Sequence, residues 1–385
     1  MDISLYKNIL LYNGNFYTDK SQIKTVSLND RIYKPFTPLD IDTIELKDNP
    51  EEFDKIVLLI DSFHWNPAHT MWNFFYPSWY GLFHNFNEYS ESIDFKWITI
   101  TDLNDIHVYT HKNIIEKFSG SDLDSLISFS NKYNKPLLIP FLITGLYGTG
   151  IGHVNKIDLT VKRGLDINNI DPIEKFINRF YYKYNIKRNS LLVESDRSNC
   201  NNIIFIKNKR QYNGIEELFN KMNEKYKEKY IFQIIDYSKL NFEQQLHILN
   251  NTCICIVGIG SARFNTPFLP NGAIEIQTFQ PNINRKNNIE YLDYHAGTLS
   301  KYIKVKNIPY YTEDEVNNNS YSNLLENYID LAINEIPCKV PINLEENIPL
   351  EIRLLKNHKN YDQFFNNWRN SMSNIIEDFS DMLYN

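Results

Sequence analysis

The hydrophobic pattern is clearest in the second half of the chain. Asn202–Lys207, Ile231–Asp236, Cys253–Ile259 and Ala273–Gln277 are short, nearly continuous apolar runs, the pattern of strands buried on both faces. Between the first two, Ile215, Leu218, Phe219, Met222 and Tyr226 recur at helical spacing. Asn213 stands at the predicted N-cap of that helix, with Glu216 three residues on as in a capping box. Between the second and third runs, Asn241 caps a second helix whose inner face carries Phe242, Leu246 and Leu249. The order β-α-β-α-β-loop-β predicts a parallel sheet covered on both faces, and right-handed crossovers make it doubly wound.

The first half alternates strand-like runs with polar loops. Ile56–Asp61, Phe95–Ile100 and Pro136–Pro140 read as buried strands. An aromatic-rich segment, His64–Phe83, lies between the first two, and a glycine-rich loop, Gly145–Gly152, follows the third. A helical stretch, Pro172–Lys187, leads into the second half. With 385 residues, two domains are expected. The predicted division is an α/β domain over residues 1–190, a second over 191–306, and a helical tail over 307–385 packing back on the first domain. No repeat of fixed period stands out.

Composition narrows the class. Apolar residues at 42% and charged residues at 23% are ordinary for a globular chain with a sizeable core. Aromatic residues reach 14%, which suits a sugar-binding cleft but is more simply a Tyr/Ile/Asn/Lys codon bias of an A+T-rich genome. The net charge of −7, with no basic face, argues against nucleic acid as a partner. Four cysteines, Cys200, Cys253, Cys255 and Cys338, form no CxxC pair, so neither structural zinc nor a disulfide framework is expected. No signal peptide or membrane span is visible, and a reducing, cytoplasmic location is expected.

In an open parallel sheet, ligands bind beyond the carboxyl ends of the strands. That edge carries Lys207, Lys209 and Arg210 after the first strand, Gly260 and Ser261 after the third, and Glu275 in the fourth. Lysine and arginine suit a diphosphate, small residues let the backbone approach it, and a carboxylate among apolar residues needs donors such as ribose hydroxyls. Each feature has a plainer reading: a solvated basic loop, an ordinary strand end, an ion pair of Glu275 with Arg263.

The stretch from Ile203 to Gln277 resembles the C-terminal half of family 61 glycosyltransferases. Lys209-Arg210-Gln211-Tyr212-Asn213 stands where that family has an arginine-rich RRxxN leading into a helix. Asn241–Gln245 matches its "sf.eQ" helix, and Gly260–Gly272 with Glu275-Ile276 matches "HGAGLTN..FLPPG..viEi". Asn66-Pro67-Ala68-His69, with Pro77 downstream, looks like the family's early Asn-x-x-His motif. The resemblance implies two Rossmann-like domains of the GT-B type with a cleft between them, and an inverting, metal-independent transfer. The donor would be a nucleotide sugar, UDP-linked by analogy, and the acceptor a glycan or a protein-linked glycan, with no cofactor. Lys209, Arg210, Asn213, Gly260, Ser261 and Asn265 would hold the donor, with Glu275 on its ribose.

The family's HGAG histidine falls on Ile259 or Gly260 here, and the acidic position four after the early histidine is Asn73. An inverting transfer needs a base for the acceptor hydroxyl. His69 is the first candidate, with His64, Asp61 and His153 as alternatives. Trp65, Trp72, Trp79 and Tyr80 are candidate sugar platforms or core residues. The altered positions leave a second reading, a catalytically degenerate relative that binds a glycan or nucleotide. A metal-dependent transferase would need an Asp-x-Asp at a strand end, for which only Asp40-Ile41-Asp42 and Asp122-Leu123-Asp124 offer a match.

Overall fold

A computed structural model describes residues 4–27, 35–60, 70–76, 79, 82, 86, 92–100, 106–144, 171–207, 214–258, 261–278, 304–307 and 320–337. The chain is α/β and divides into two compact units, residues 1–164 with 174–185, and 165–173 with 186–385.

The first unit is built on a mixed sheet. Its strands are β1 (Ser4–Tyr12), β2 (Asn15–Thr18), β5 (Leu39–Asp40), β6 (Glu51–Glu52), β7 (Val57–Ile60), β8 (Lys96–Thr99), β9 (Asp124–Ser125) and β10 (Leu137–Thr144). They run in the order β5-β2-β1-β10-β7-β8-β9, with β6 alongside β10. A separate two-stranded ribbon joins β3 (Val26–Ser27) to β4 (Pro35–Phe36). The three strands expected from the apolar runs form the parallel centre β10-β7-β8.

The N-terminal hairpin β1–β2 is absent from the hydrophobic pattern. Its strand β1 pairs antiparallel with β10, placing Asn8 opposite Pro140, which has no N–H to offer. Asn8 takes φ 51°, and beyond it Ile9, Leu10 and Leu11 are buried in succession. The left-handed residue breaks the two-residue alternation by which a strand is recognised.

One face of this unit is an aromatic core. Helix α1 (Ile106–Ser119) and helix α3 (Asp171–Lys183) bring Phe118 and Phe180 together at 4.4 Å between ring centroids. Trp97 stacks on Phe118 at 5.6 Å, and Phe75 on Phe118 at 5.8 Å. Trp79 is wholly buried in the same cluster and so fills the core rather than serving as a sugar platform. Trp65 and Tyr80 lie outside the described residues, as does the side chain of Trp72. The wholly buried Arg179 guanidinium lies 4.9 Å from the Phe95 ring and 5.1 Å from Phe118. It donates to the carbonyls of Phe118, Ile93 and Ser119, so α3 is pinned to the end of α1. A short helix α2 (Leu126–Asn131) follows β9.

The second unit is a five-stranded, wholly parallel sheet. Its strands are β11 (Asn202–Ile206), β12 (Ile231–Ile235), β13 (Thr252–Gly258), β14 (Ile274–Thr278) and β15 (Lys304–Asn307), in the order β12-β11-β13-β14-β15. The first four match the apolar runs; β15 is an addition. Helix α4 (Ile215–Tyr226) follows β11 and α5 (Phe242–Asn250) follows β12. Phe219 of α4 packs on Phe205 and Phe232, which fixes the face that α4 covers. Right-handed crossovers put α5 on the opposite face. The cap of α4 falls on Gly214, not Asn213, and carries no side-chain bond: the Gly214 carbonyl accepts the first helical bond, from Leu218. The Asn241 cap of α5 is present as a complete capping box with Gln244.

Of the expected helical tail beyond β15, only α6 (Ser320–Glu335) and the two residues after it are described, and α6 packs not on the first domain but on α4 and β14 of the second unit. Asp330 binds Lys225 at 2.7 Å and the Tyr226 hydroxyl at 2.8 Å, and Glu326 meets Lys221 at 2.5 Å. Tyr321, Leu325, Tyr328 and Ile329 are buried beneath these pairs. The apolar stripe of α6 covers sheet that α4 leaves open, which is a larger gain than the exposed ion pairs provide.

Arg179→Met keeps much of the bulk but removes the guanidinium that donates to the Phe118 and Ile93 carbonyls, the Ser119 carbonyl keeping the Phe95 N–H. We expect a loss of about 3 kcal/mol of unfolding free energy, read by denaturant titration of tryptophan fluorescence.

Candidate functional site

The strand order of the second unit reverses between β11 and β13, and the crevice at such a reversal is where open sheets bind ligands. Parallel register brings the carboxyl ends level. Ile206 is opposite Ile235 and Val257, and Gly258 is opposite Thr278. Lys207 leaves β11 at this edge, and Gly258 leaves the adjacent β13. The loops carrying Lys209, Arg210 and Asn213 and carrying Gly260, Ser261 and Asn265 therefore start from neighbouring strand ends. Lys209, Arg210, Asn213 and Gly260 themselves lie outside the described residues.

Ser261 opens a 3-10 segment, Ser261–Phe268, that contains Asn265. Phe268 packs edge-on against Phe242 of α5 at 5.7 Å, so this segment shares the α5 face. Its far end is tied down from Arg188, whose guanidinium donates to Asn271 Oδ1 at 3.1 Å and to the Pro267 carbonyl. Leu191 N–H donates to the Asn271 carbonyl at 2.9 Å. Gly272 follows with φ 92°, and a Cβ there would stand 3.1–3.2 Å from Leu191 and Leu192. The glycine that closes the FLPNG run is thus required by backbone conformation.

Glu275 is the second residue of β14, three residues and about 10 Å short of its carboxyl end. Only 1% of it is exposed. It sits opposite Cys255, on the face shared by α5 and the 3-10 segment. Burial pushes the Cys255 thiol well above its ordinary value, and the Glu275 charge beside it adds to this. Burial likewise pushes the Cys200 and Cys253 thiols up to about 12. All three are unpaired and poor nucleophiles. Cys338 lies outside the described residues.

Sequence reading gave no role to two other groups at this edge. Thr278, the last residue of β14, is wholly buried and its hydroxyl has no partner among the described residues. Asp236, just after β12, caps the turn Tyr237–Lys239. Hydrogen bonds from the Ser238 hydroxyl and N–H hold its carboxyl below the usual value. A threonine ending an apolar run is ordinary, so only its lack of a partner marks Thr278.

In the first unit, β7 and β10 are adjacent and parallel, and the strand order reverses between them. The segment with Asp61, His64 and His69 follows β7, and the glycine-rich loop with His153 follows β10. All four candidate bases lie outside the described residues. A π-helical turn, Thr70–Phe75, comes directly after His69.

Both Asp-x-Asp pairs have structural partners. Asp40 Oδ1 accepts from the Asp42 N–H at 3.1 Å and caps a 3-10 turn. Asp124 binds Lys96 at 2.5 Å and Lys132 at 2.7 Å. Lys96 also donates to the Asp122 carbonyl and lies 5.2 Å from the Phe129 ring. Burial alone would raise the Asp124 pKa, but the hydrogen bonds from Lys132 and Lys96 prevail and hold it below 3.8. Its charge is matched within the fold.

The architecture defines an α/β protein whose second unit carries a ligand crevice at the carboxyl edge of a parallel sheet. Residues 107–276 match the family model described as Glycosyltransferase 61, which supports membership of that family. The class is that of a glycosyltransferase, with a sugar donor and an acceptor. The match runs from α1 to β14 and includes Asn241–Gln245, Ser261–Gly272 and Glu275; the Asn66–His69 motif lies outside it. No curated protein matches the chain. Among the described residues, no helix is long and apolar enough to cross a membrane.

The Asp124 carboxylate stabilises the fold above the ordinary carboxylate pKa of 3.8, and this is lost as pH falls through its lower folded value. Asp124→Asn leaves Lys96 buried without its counter-charge. It should cost about 3 kcal/mol at pH 7 and flatten the acid limb of a stability–pH profile measured by denaturation.

Proposed function

We propose that this chain is an inverting, metal-independent glycosyltransferase. It moves a hexosyl or pentosyl group from a UDP-linked donor to a glycan or protein-linked glycan. The observation that carries this reading is the family match ending in β14, set on a parallel sheet whose β11 and β13 loops start side by side. In the proposal, the chain takes the GT-B form, two Rossmann-like domains. The second unit holds the donor, and the first presents the acceptor.

Lys209, Arg210 and the backbone N–H groups around Gly260 and Ser261 hold the diphosphate and stabilise the charge that develops on it as it leaves. Asn213 and Asn265 complete the donor pocket, and Glu275 receives the ribose hydroxyls. The buried hydroxyl of Thr278, without a partner among the described residues, supports a ligand at this edge, because leaving such a group unsatisfied costs about 1–3 kcal/mol that a bound partner would recover. His69 removes the proton from the acceptor hydroxyl as its oxygen attacks the anomeric carbon, and the bond to the diphosphate breaks on the opposite side. His69 follows β7 in the sequence, and the strand order reverses at β7, which supports this role. Three buried, unpaired thiols support a reducing, cytoplasmic setting. The substitutions at the HGAG and Asn73 positions favour a second reading, a relative that binds the nucleotide without turnover.

UDP at about 100 times its Kd should add about 2.7 kcal/mol to stability and raise the melting midpoint. Arg210→Ala and Glu275→Gln should each remove most of that rise. Transfer from UDP-sugars should survive EDTA, and His69→Ala should abolish it while leaving the UDP-dependent rise intact. A UDP response with no turnover on any acceptor would establish the non-catalytic reading. No response to any nucleoside diphosphate would refute a donor site at this edge.

A further inference from the structure

We infer that Gln245 is a positioning residue for the donor segment, acting through the side-chain amide of Asn265. The assignment of Asn265 to a donor pocket rests on the function proposed above; the hydrogen-bond relay does not.

Gln245 lies in the first half of α5, half-buried, one residue beyond the capping-box Gln244. Its Nε2 donates to two backbone carbonyls, Tyr237 at 3.2 Å and Leu240 at 3.1 Å. Both belong to the connection that leaves the carboxyl end of β12. A primary amide has two N–H donors, and these two bonds use both. The amide therefore cannot flip without opposing its own oxygen to two carbonyl oxygens. Its Oε1 is left pointing away from the β12 connection, where it accepts from Asn265 Nδ2 at 3.3 Å.

The constraint then passes to Asn265. Because Gln245 presents only an acceptor, Asn265 must present Nδ2, and its amide is fixed the same way round. That leaves Asn265 one N–H donor and the Oδ1 acceptor, which takes no hydrogen bond among the described residues. An adjacent donor and acceptor on one planar amide is the complement of a sugar or ribose hydroxyl, which both gives and receives. Gln245 thus joins two loops of the carboxyl edge, after β12 and after β13, and sets the polarity of the group offered to the ligand. The segment is already anchored at its other end by Arg188. Gln245 is the only described side chain bonded to the Asn265 amide.

The test uses the full chain. Hydrogen exchange read by mass spectrometry needs no ligand. Gln245→Ala should speed exchange at least tenfold in residues 261–268 as well as in 237–241, and Gln245→Met, which restores bulk without the amide, should not rescue it. Unchanged exchange in 261–268 would overturn the relay, whatever the protein binds. UDP affinity by calorimetry then tests its use. Gln245→Ala and Asn265→Ala should each weaken UDP-sugar binding by about tenfold, and the double variant should be no weaker than Asn265→Ala alone. Additive losses, or a Gln245→Ala protein with wild-type affinity beside a weakened Asn265→Ala, would overturn the positioning role. A wild-type chain that binds no nucleoside diphosphate would sink the donor reading instead, while exchange still decides the relay.

Discussion

Parallel pairing governs this protein. A central parallel strand satisfies its backbone only when another lies on each side, and its side chains are buried only when both faces are covered. β11, β13 and β14 meet both conditions: each has two neighbours, and Ile203–Ile206, Cys253–Val257, Ile274 and Ile276 are buried. The first requirement brings β12 and β15 to the flanks. The second brings α4 and α6 to one face and α5 with the 3-10 segment to the other. Because consecutive parallel strands must be joined across a face, every β-to-α connection emerges at the same edge. The position of a ligand crevice is thus a consequence of how the core is built.

At that edge, flexible connections are held by polar side chains rather than by further secondary structure. Asp236 caps the turn after β12, Gln245 ties that turn to the segment after β13, and Arg188 holds the segment's end. Such bonds cost little to form from a half-exposed amide and give a loop a defined orientation. The first unit solves a similar problem with a buried cation. Arg179 holds two carbonyls at the end of α1 and that of Ile93 before β8 within an aromatic cluster, and Asp124 is matched by two lysines. These buried charges are met within the fold, which separates them from groups free to act on a ligand.

Much of the second unit was legible in its amino acids. Four apolar runs became β11 to β14, and Asn241 caps α5 as expected, with a capping box beyond that expectation. Continuous burial leaves a strong trace in composition, and a cap is a contact between residues three apart. Elsewhere the chain was less legible. In the first unit β1 loses its alternation at Asn8; in the second, β15 is only four residues long, and the surface that α6 covers could not be read because an amphipathic stripe does not say which surface it meets. The N-cap of α4 was misplaced by one residue, from Asn213 to Gly214.

The candidate site divides in the same way. The amino acids alone marked which residues could meet a diphosphate and its ribose, because charge, glycine and a carboxylate in an apolar run are local properties. They also carried the family, through motifs preserved in order from Asn241 to Ile276. Tertiary structure alone decided that the β11 and β13 loops are neighbours, that Glu275 lies three residues beneath the edge, and that Trp79 and Asp124 belong to the core. It also decided that Gln245 faces Asn265 across twenty residues of chain. Strand pairing and helix docking join residues far apart in sequence. Which polar group finds a partner, and which remains for a ligand, is set only when those surfaces meet.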